Sequence, residues 1–131
     1  MFQLVKLWLF SGIYTIFGLA PGHSDIETLR SYLAQGNAAA ISNLMHSSVQ
    51  LSTPQGEGFY SKGQATMILD KFFRSHPPRQ CLIVNQGSSE NGAHYSIMRL
   101  ETGNGNYRVS VFLKKGNTGL LIQEMKIVAQ Q

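Results

Sequence analysis

The apolar positions of this chain change period partway along it. Ile26, Leu29 and Leu33 recur at helical spacing with Tyr32 beside them, and Gly36 is placed to stop that helix. Ser24, with Glu27 three residues later, has the pattern of a capping box. Asn37 can cap a short second helix whose apolar side includes Ala40, Ile41 and Leu44. Val49 and Leu51 alternate with polar neighbours and predict a strand, and residues 54–58 read as a turn or loop. Ser61 is a good N-cap for a third helix over about 62–75, with Ala65, Ile68, Leu69 and Phe72 as its buried stripe, widened by Phe73. Asp70 and Arg74 can pair on its exposed side, and Pro77-Pro78 ends it. From Arg79 the period falls to two. Strands are predicted over 80–86, 94–101, 107–114 and 120–128, with turns at Gly103-Asn104-Gly105 and at Gly116-Asn117-Thr118-Gly119. Helices followed by a meander predict an α+β fold, in which a curved, mostly antiparallel sheet wraps around three N-terminal helices.

Alternation assigns the two sheet faces. One carries Tyr95, Ile97, Arg99, Tyr107, Val109, Val111, Leu113, Leu121, Gln123, Met125 and Ile127. It is expected to pack on the helices and line a concave pocket. The other is mixed, with an apolar patch of Met98, Phe112, Leu120 and Ile122 among charges. A second subunit or another partner would cover that patch, so these four are the interface candidates and a homodimer is expected. Simple pairing sets Phe112 opposite Ile122 and Ser110 opposite Glu124. Near Cys81 the register stays open. A slip in the 87–92 loop would exchange Cys81 and Ile83 with Leu82 and Val84 on the inner face.

Residues 1–22 are unlike the rest. One positive charge, Lys6, precedes the apolar run LWLFSGIYTIFGLA. At 14 residues the run is short for a spanning helix, which needs about 20. It fits a secretory signal peptide ending near Ala20 or Gly22. Proline after Ala20 is unfavourable for cleavage, so an uncleaved anchor and a buried N-terminal helix stand as alternatives. No cysteine follows the run, which excludes lipoprotein attachment there. The expected product is an exported domain over 23–131, periplasmic or extracellular.

Composition narrows the chemistry. With 43% hydrophobic and 14% charged residues, the 131-residue chain can fill a packed core. Its formal charge is +4, or +3 if Lys6 leaves with the leader. The basic residues are scattered, with Lys114-Lys115 the only adjacent pair, so no nucleic-acid stripe is present. The single cysteine, Cys81, permits no internal disulfide and reads as a buried, inert thiol. His23, His46, His76 and His94 lack metal-binding spacing, and neither metal nor cofactor is expected. On the face assigned inward, Tyr95, Arg99, Tyr107 and Gln123 are the ligand-binding candidates, and none is a carboxylate base. Arg99 suits a carboxylate or other anion. The commoner role for such an arginine is to snorkel or to pair with Glu101 or a helix acid.

The run Phe59-Tyr60-Ser61-Lys62-Gly63-Gln64-Ala65, then Ile68-Leu69 and Phe72-Phe73, resembles the nuclear transport factor 2-like superfamily. Tyr107-Arg108-Val109-Ser110-Val111 and Ile122-Gln123-Glu124-Met125-Lys126-Ile127 continue the resemblance. It extends over about 24–128 and is strongest to a small family of exported Bacteroidetes proteins of unknown function. It implies a cystatin-like cone, a curved sheet around a long helix. That superfamily holds isomerases, dehydratases, cyclases, binding modules and adaptors, so fold does not settle activity. The expectation is a non-catalytic binding protein, taking a small apolar or anionic ligand in the cone or an envelope protein as partner. An isomerase or dehydratase of the same fold and a structural dimerisation module are the alternatives.

Overall fold

A computed structural model describes residues 23–131; the leader expected over 1–22 lies outside them. The elements run α1 (His23–Gln35), α2 (Ala38–Ser42), β1 (Met45–Thr53), β2 (Gly56–Ser61), α3 (Lys62–Ser75), β3 (Pro78–Ser88), β4 (Ala93–Thr102), β5 (Gly105–Lys115) and β6 (Leu120–Gln130). The fold is the expected α+β arrangement. Six strands form one sheet in the order β2-β1-β6-β5-β4-β3, antiparallel except where β1 runs parallel to β6.

Local chemistry fixes the helix ends. Gly36, at φ +65°, closes α1: its N–H donates to the Leu33 carbonyl, and the Asn37 N–H donates to that of Tyr32. This is the glycine-terminated Schellman pattern, which satisfies carbonyls the helix would leave bare. The Asn37 side chain accepts from the Ala40 N–H and caps α2. Ser61 and Gln64 form a reciprocal capping box at the start of α3. At its far end Asp70 and Arg74 pair at 2.8 Å, as their spacing predicts.

The helices lie on one face of the sheet. Leu29 and Leu33 of α1, Ile41 of α2, and Leu69, Phe72 and Phe73 of α3 join Leu51, Leu100, Val109, Leu113, Met125 and Ile127 in one core. Arg30 reaches across from α1 to donate to the Cys81 carbonyl of β3. Asp25 accepts from the backbone N–H of Leu120, pinning the start of α1 to the β5–β6 turn.

Three strand features differ from the pattern read in the sequence. Residues 56–61 form β2, because only Pro54 and Gln55 make the turn and Thr53 pairs with Gly56. Gly56 and Gly58 hide that strand from propensity, and pairing with β1 overrides it. The β4–β5 turn is one residue tighter than expected. Thr102 pairs with Gly105, leaving a two-residue turn at Gly103-Asn104. The Thr102 hydroxyl accepts from the Asn104 N–H and donates to the Gly105 carbonyl, and Gly105 takes φ +114°. A one-residue change inverts a whole strand. Ser96, Met98 and Leu100 of β4 therefore face the helices, while Tyr95, Ile97 and Arg99 face away. The third feature is a bulge on β6. Leu113 pairs with Ile122 but Phe112 pairs with Glu124, so Gln123 is the extra residue. Leu120 and Ile122 point inward before it, and Met125 and Ile127 after it.

Candidate binding surface

Among the described residues, buried side chains occupy the interior of the cone. Leu51, Leu69, Met98, Leu100 and Ile122 are each 0% exposed. Tyr107 is the one ligand candidate that points into the cone. Its ring packs edge-on against Phe72 at 5.1 Å and against His76 at 5.3 Å, while His76 stacks on Phe72 at 4.6 Å. Tyr107 is thus a core aromatic. The Ser96 hydroxyl is buried on the same inner face with no hydrogen-bond partner among the described residues. Burial pushes the Cys81 thiol up to about 11, so it stays protonated and poorly nucleophilic at neutral pH, as expected of an inert cysteine. Cys81 and Ile83 face inward, and Leu82 and Val84 outward, which settles the register left open there.

The remaining candidates, Phe112 excepted, lie elsewhere than their assigned faces. Tyr95 and Arg99 stand on the outer sheet face because the tight β4–β5 turn inverts β4. Gln123 is the half-buried bulge residue. Met98, Leu120 and Ile122, expected at an interface, are core residues at 0%, 7% and 0% exposure. The same inversion accounts for Met98, and the bulge for the other two. Phe112 alone keeps its expected outward place. Arg99 sits 3.6 Å from Glu101 in the exposed pairing that was its alternative reading. Such pairs contribute about 0–1 kcal/mol.

Strand register lays out the outer face in rows. Gly87, Tyr95, Phe112, Glu124, Gln50 and Phe59 cross the sheet side by side. Asn85, Ile97, Ser110, Lys126, Ser52 and Glu57 form the next row. In the third, Leu82, Arg99, Arg108 and Val128 are neighbours. The Tyr95 ring lies over Gly87, where a Cβ would come within 2.6 Å of it. A glycine opposite an aromatic gives the ring a flat backbone floor. Tyr95, Ile97, Ser110, Phe112 and Glu124 rim a shallow depression of about 260 Å³. Lys114 holds its ammonium 5.9 Å from the Phe112 ring centre. Arg108, Glu124 and Lys126 make no ion pair among the described residues. The face thus combines exposed aromatic rings with both signs of uncompensated charge. No group of histidine, cysteine and carboxylate side chains that could hold a metal occurs among the described residues.

Two features here escape reading by period. Ile97 joins the outer patch only through the inverted strand. Phe59, 75% exposed, joins it only because β2 exists. The signal for the inversion was the Thr102-Gly103-Asn104-Gly105 stretch, where a threonine hydroxyl can close a two-residue turn.

The chain is similar to solved structures of the same shape. A DUF4783 family protein from Bacteroides ovatus is 26% identical, with a TM-score of 0.75, over 79% of this chain and 94% of that one. A second, from Bacteroides uniformis, is 23% identical at a TM-score of 0.75, over 80% of this chain and 96% of that one. A nuclear transport factor 2-like protein of unknown function from Silicibacter pomeroyi shares 8% identity, with a TM-score of 0.58, over 80% of this chain and 89% of that one. No curated protein matches the chain. The model of the domain of unknown function DUF4783 matches residues 26–128, nearly the whole of the described domain. This chain, with its nuclear transport factor 2-like fold, therefore belongs to the DUF4783 family.

Proposed function

We propose that the protein is an exported, non-catalytic binding module that works through the outer face of its sheet, and that the first occupant of that face is a second copy of the chain. The observation that carries this reading is the contrast between the two faces. Fully buried aliphatic side chains occupy the inner one, while the outer one exposes Tyr95, Phe112, Leu82 and Val128 and leaves Ile97 half-buried. A drug-sized ligand needs a cleft of about 300–1,000 Å³ that buries most of its surface. The outer depression, at about 260 Å³ and shallow, favours a protein surface over a small molecule.

Area and charge favour a second copy. Six strands about 4.8 Å apart and roughly 30 Å long present roughly 850 Å². Each partner in a stable complex contributes about 800 Å². Glu124 lies one row from Lys126 and two from Arg108. Two copies of the face can therefore set carboxylate against cation around an aromatic centre, as a two-fold interface requires. Export rests on the apolar run at 7–20.

Hydroxyl-radical footprinting over a concentration series tests the reading. Tyr95 and Phe112 should lose reactivity as the protein is concentrated, while Phe59, near the sheet edge, changes less. Equal oxidation of Tyr95 and Phe112 at every concentration would sink the proposal.

A further inference from the structure

We propose that the free edge of β2 is a strand-addition site for an extended acidic segment of a partner protein, a site that adjoins the outer-face contact at Phe59 and is distinct from its centre at Tyr95 and Phe112. The two edges of the sheet are built differently. β3 is blunted: it opens on Pro78 and its pairing is interrupted at Arg79 and Val84 by register shifts. Proline and bulges are common devices for stopping strand addition. β2 carries neither. It pairs only with β1, so its other backbone edge is open among the described residues. It also holds two glycines, so little side-chain bulk stands along it.

Exposed apolar side chains flank this edge on both sides. Phe59 projects on the outer side and is 75% exposed. On the inner side α3 overhangs the strand. Its buried stripe of Ala65, Leu69 and Phe72 faces the core, yet Met67 is 73% exposed and Ile68 is only partly covered. Tyr60, Gln64, Met67 and Ile68 line a depression of about 240 Å³. A second of about 180 Å³ shares Tyr60 and Ile68 and ends at Lys71. An added strand would place alternate side chains against Phe59 and against Tyr60, Met67 and Ile68. In strand addition, backbone bonds supply affinity and pockets for alternate side chains supply specificity. Methionine suits such a pocket because it adapts to its guest.

Charge selects the occupant. Lys71 rims the groove and Lys62 stands where β2 meets α3; neither has an ion-pair partner among the described residues. Glu57, the one acid of β2, alternates onto the outer side with Phe59. The inner rim is therefore cationic, and a second copy of this edge would bring the same cations. A segment with an apolar residue beside aspartate or glutamate is the complement.

The experiment selects random peptides displayed on phage against the full chain, then measures amide hydrogen exchange with the synthetic consensus peptide. The expected consensus is an apolar residue flanked by acids. It slows exchange across 56–61 and leaves β3 unchanged. Lys71→Glu weakens binding about tenfold, one charge-assisted contact's worth, and Met67→Glu by at least as much. Met67 and Lys71 are exposed, so both variants should fold. Phe112→Glu leaves peptide binding intact, which separates this site from the outer face. A consensus without acids, protection outside β2, or unchanged binding by both variants overturns the proposal. So does the absence of any consensus. Protection of 56–61 by concentration alone, without peptide, overturns it in favour of a second copy.

Discussion

Phe112→Glu should weaken self-association about 100-fold or more, the effect of losing a central aromatic anchor, while leaving the fold intact. Phe112 stands on the outer face of β5 between Tyr95 and Glu124. It is 37% exposed, so a carboxylate there meets water in the free chain and little of the core is disturbed. In a two-fold contact the substitution acts twice. It removes two rings and sets new negative charge beside Glu124 of both copies, with like charges pressed into a drying interface. Sedimentation across a concentration series measures the change, and circular dichroism reports the fold. An unchanged dissociation constant would remove the outer face from the account. Loss of the folded spectrum would show instead that Phe112 is structural.

The second large effect concerns stability. Met98→Ala should lower the free energy of unfolding by about 2–5 kcal/mol, the usual range for emptying a buried site of this size. Arg99→Ala, the adjacent residue, should change it by no more than about 0.5 kcal/mol, as surface substitutions do. Met98 is fully buried and its sulfur lies 3.7 Å from that of Cys81. Arg99 points the other way and, among the described residues, its side chain makes only the long contact to Glu101. The pair is a direct test of which face of β4 is inside. Urea denaturation of both variants settles it. A larger cost at Arg99 than at Met98 would restore the facing that simple alternation suggests.

That comparison also shows how far the sequence could be read. Helical period, Ser61, Gly36 and Pro77-Pro78 locate the helices because each carries its own local chemistry. The strands from β3 onward are also legible as elements, through alternation and glycine-rich turns. What alternation cannot supply is parity between strands. Counting Gly103-Asn104-Gly105 as the turn, rather than Gly103-Asn104, exchanges Met98 with Arg99 and puts the three β4 candidates, Tyr95, Met98 and Arg99, on the wrong side. Gln123 is a similar case: Gln123-Glu124 break the alternation between Ile122 and Met125, but the apolar Leu121 leaves either parity open for the start of the strand. β2 was hidden for a different reason: two glycines in six residues read as loop, and only pairing with β1 makes them a strand. Asp25 shows the limit of local explanation. Its place near a helix start suggests a dipole role, but it also accepts a hydrogen bond from Leu120, 95 residues away.

The candidate site was less legible than the fold because it depends on these parities. Of the eight residues singled out for binding or interface roles, Phe112 alone both faces outward as expected and belongs to the proposed surface. Tyr95 belongs to that surface as well, though on the face opposite to its assignment. The apolar patch expected on one mixed face does exist. Its members are Tyr95, Ile97 and Phe112 rather than Met98, Leu120 and Ile122.

Native mass spectrometry of the wild-type chain at micromolar concentration decides whether the outer face pairs two copies. The expected result is a particle of twice the chain mass that gives way to the single chain on dilution. A single chain at every concentration, with or without a bound small molecule, would contradict it.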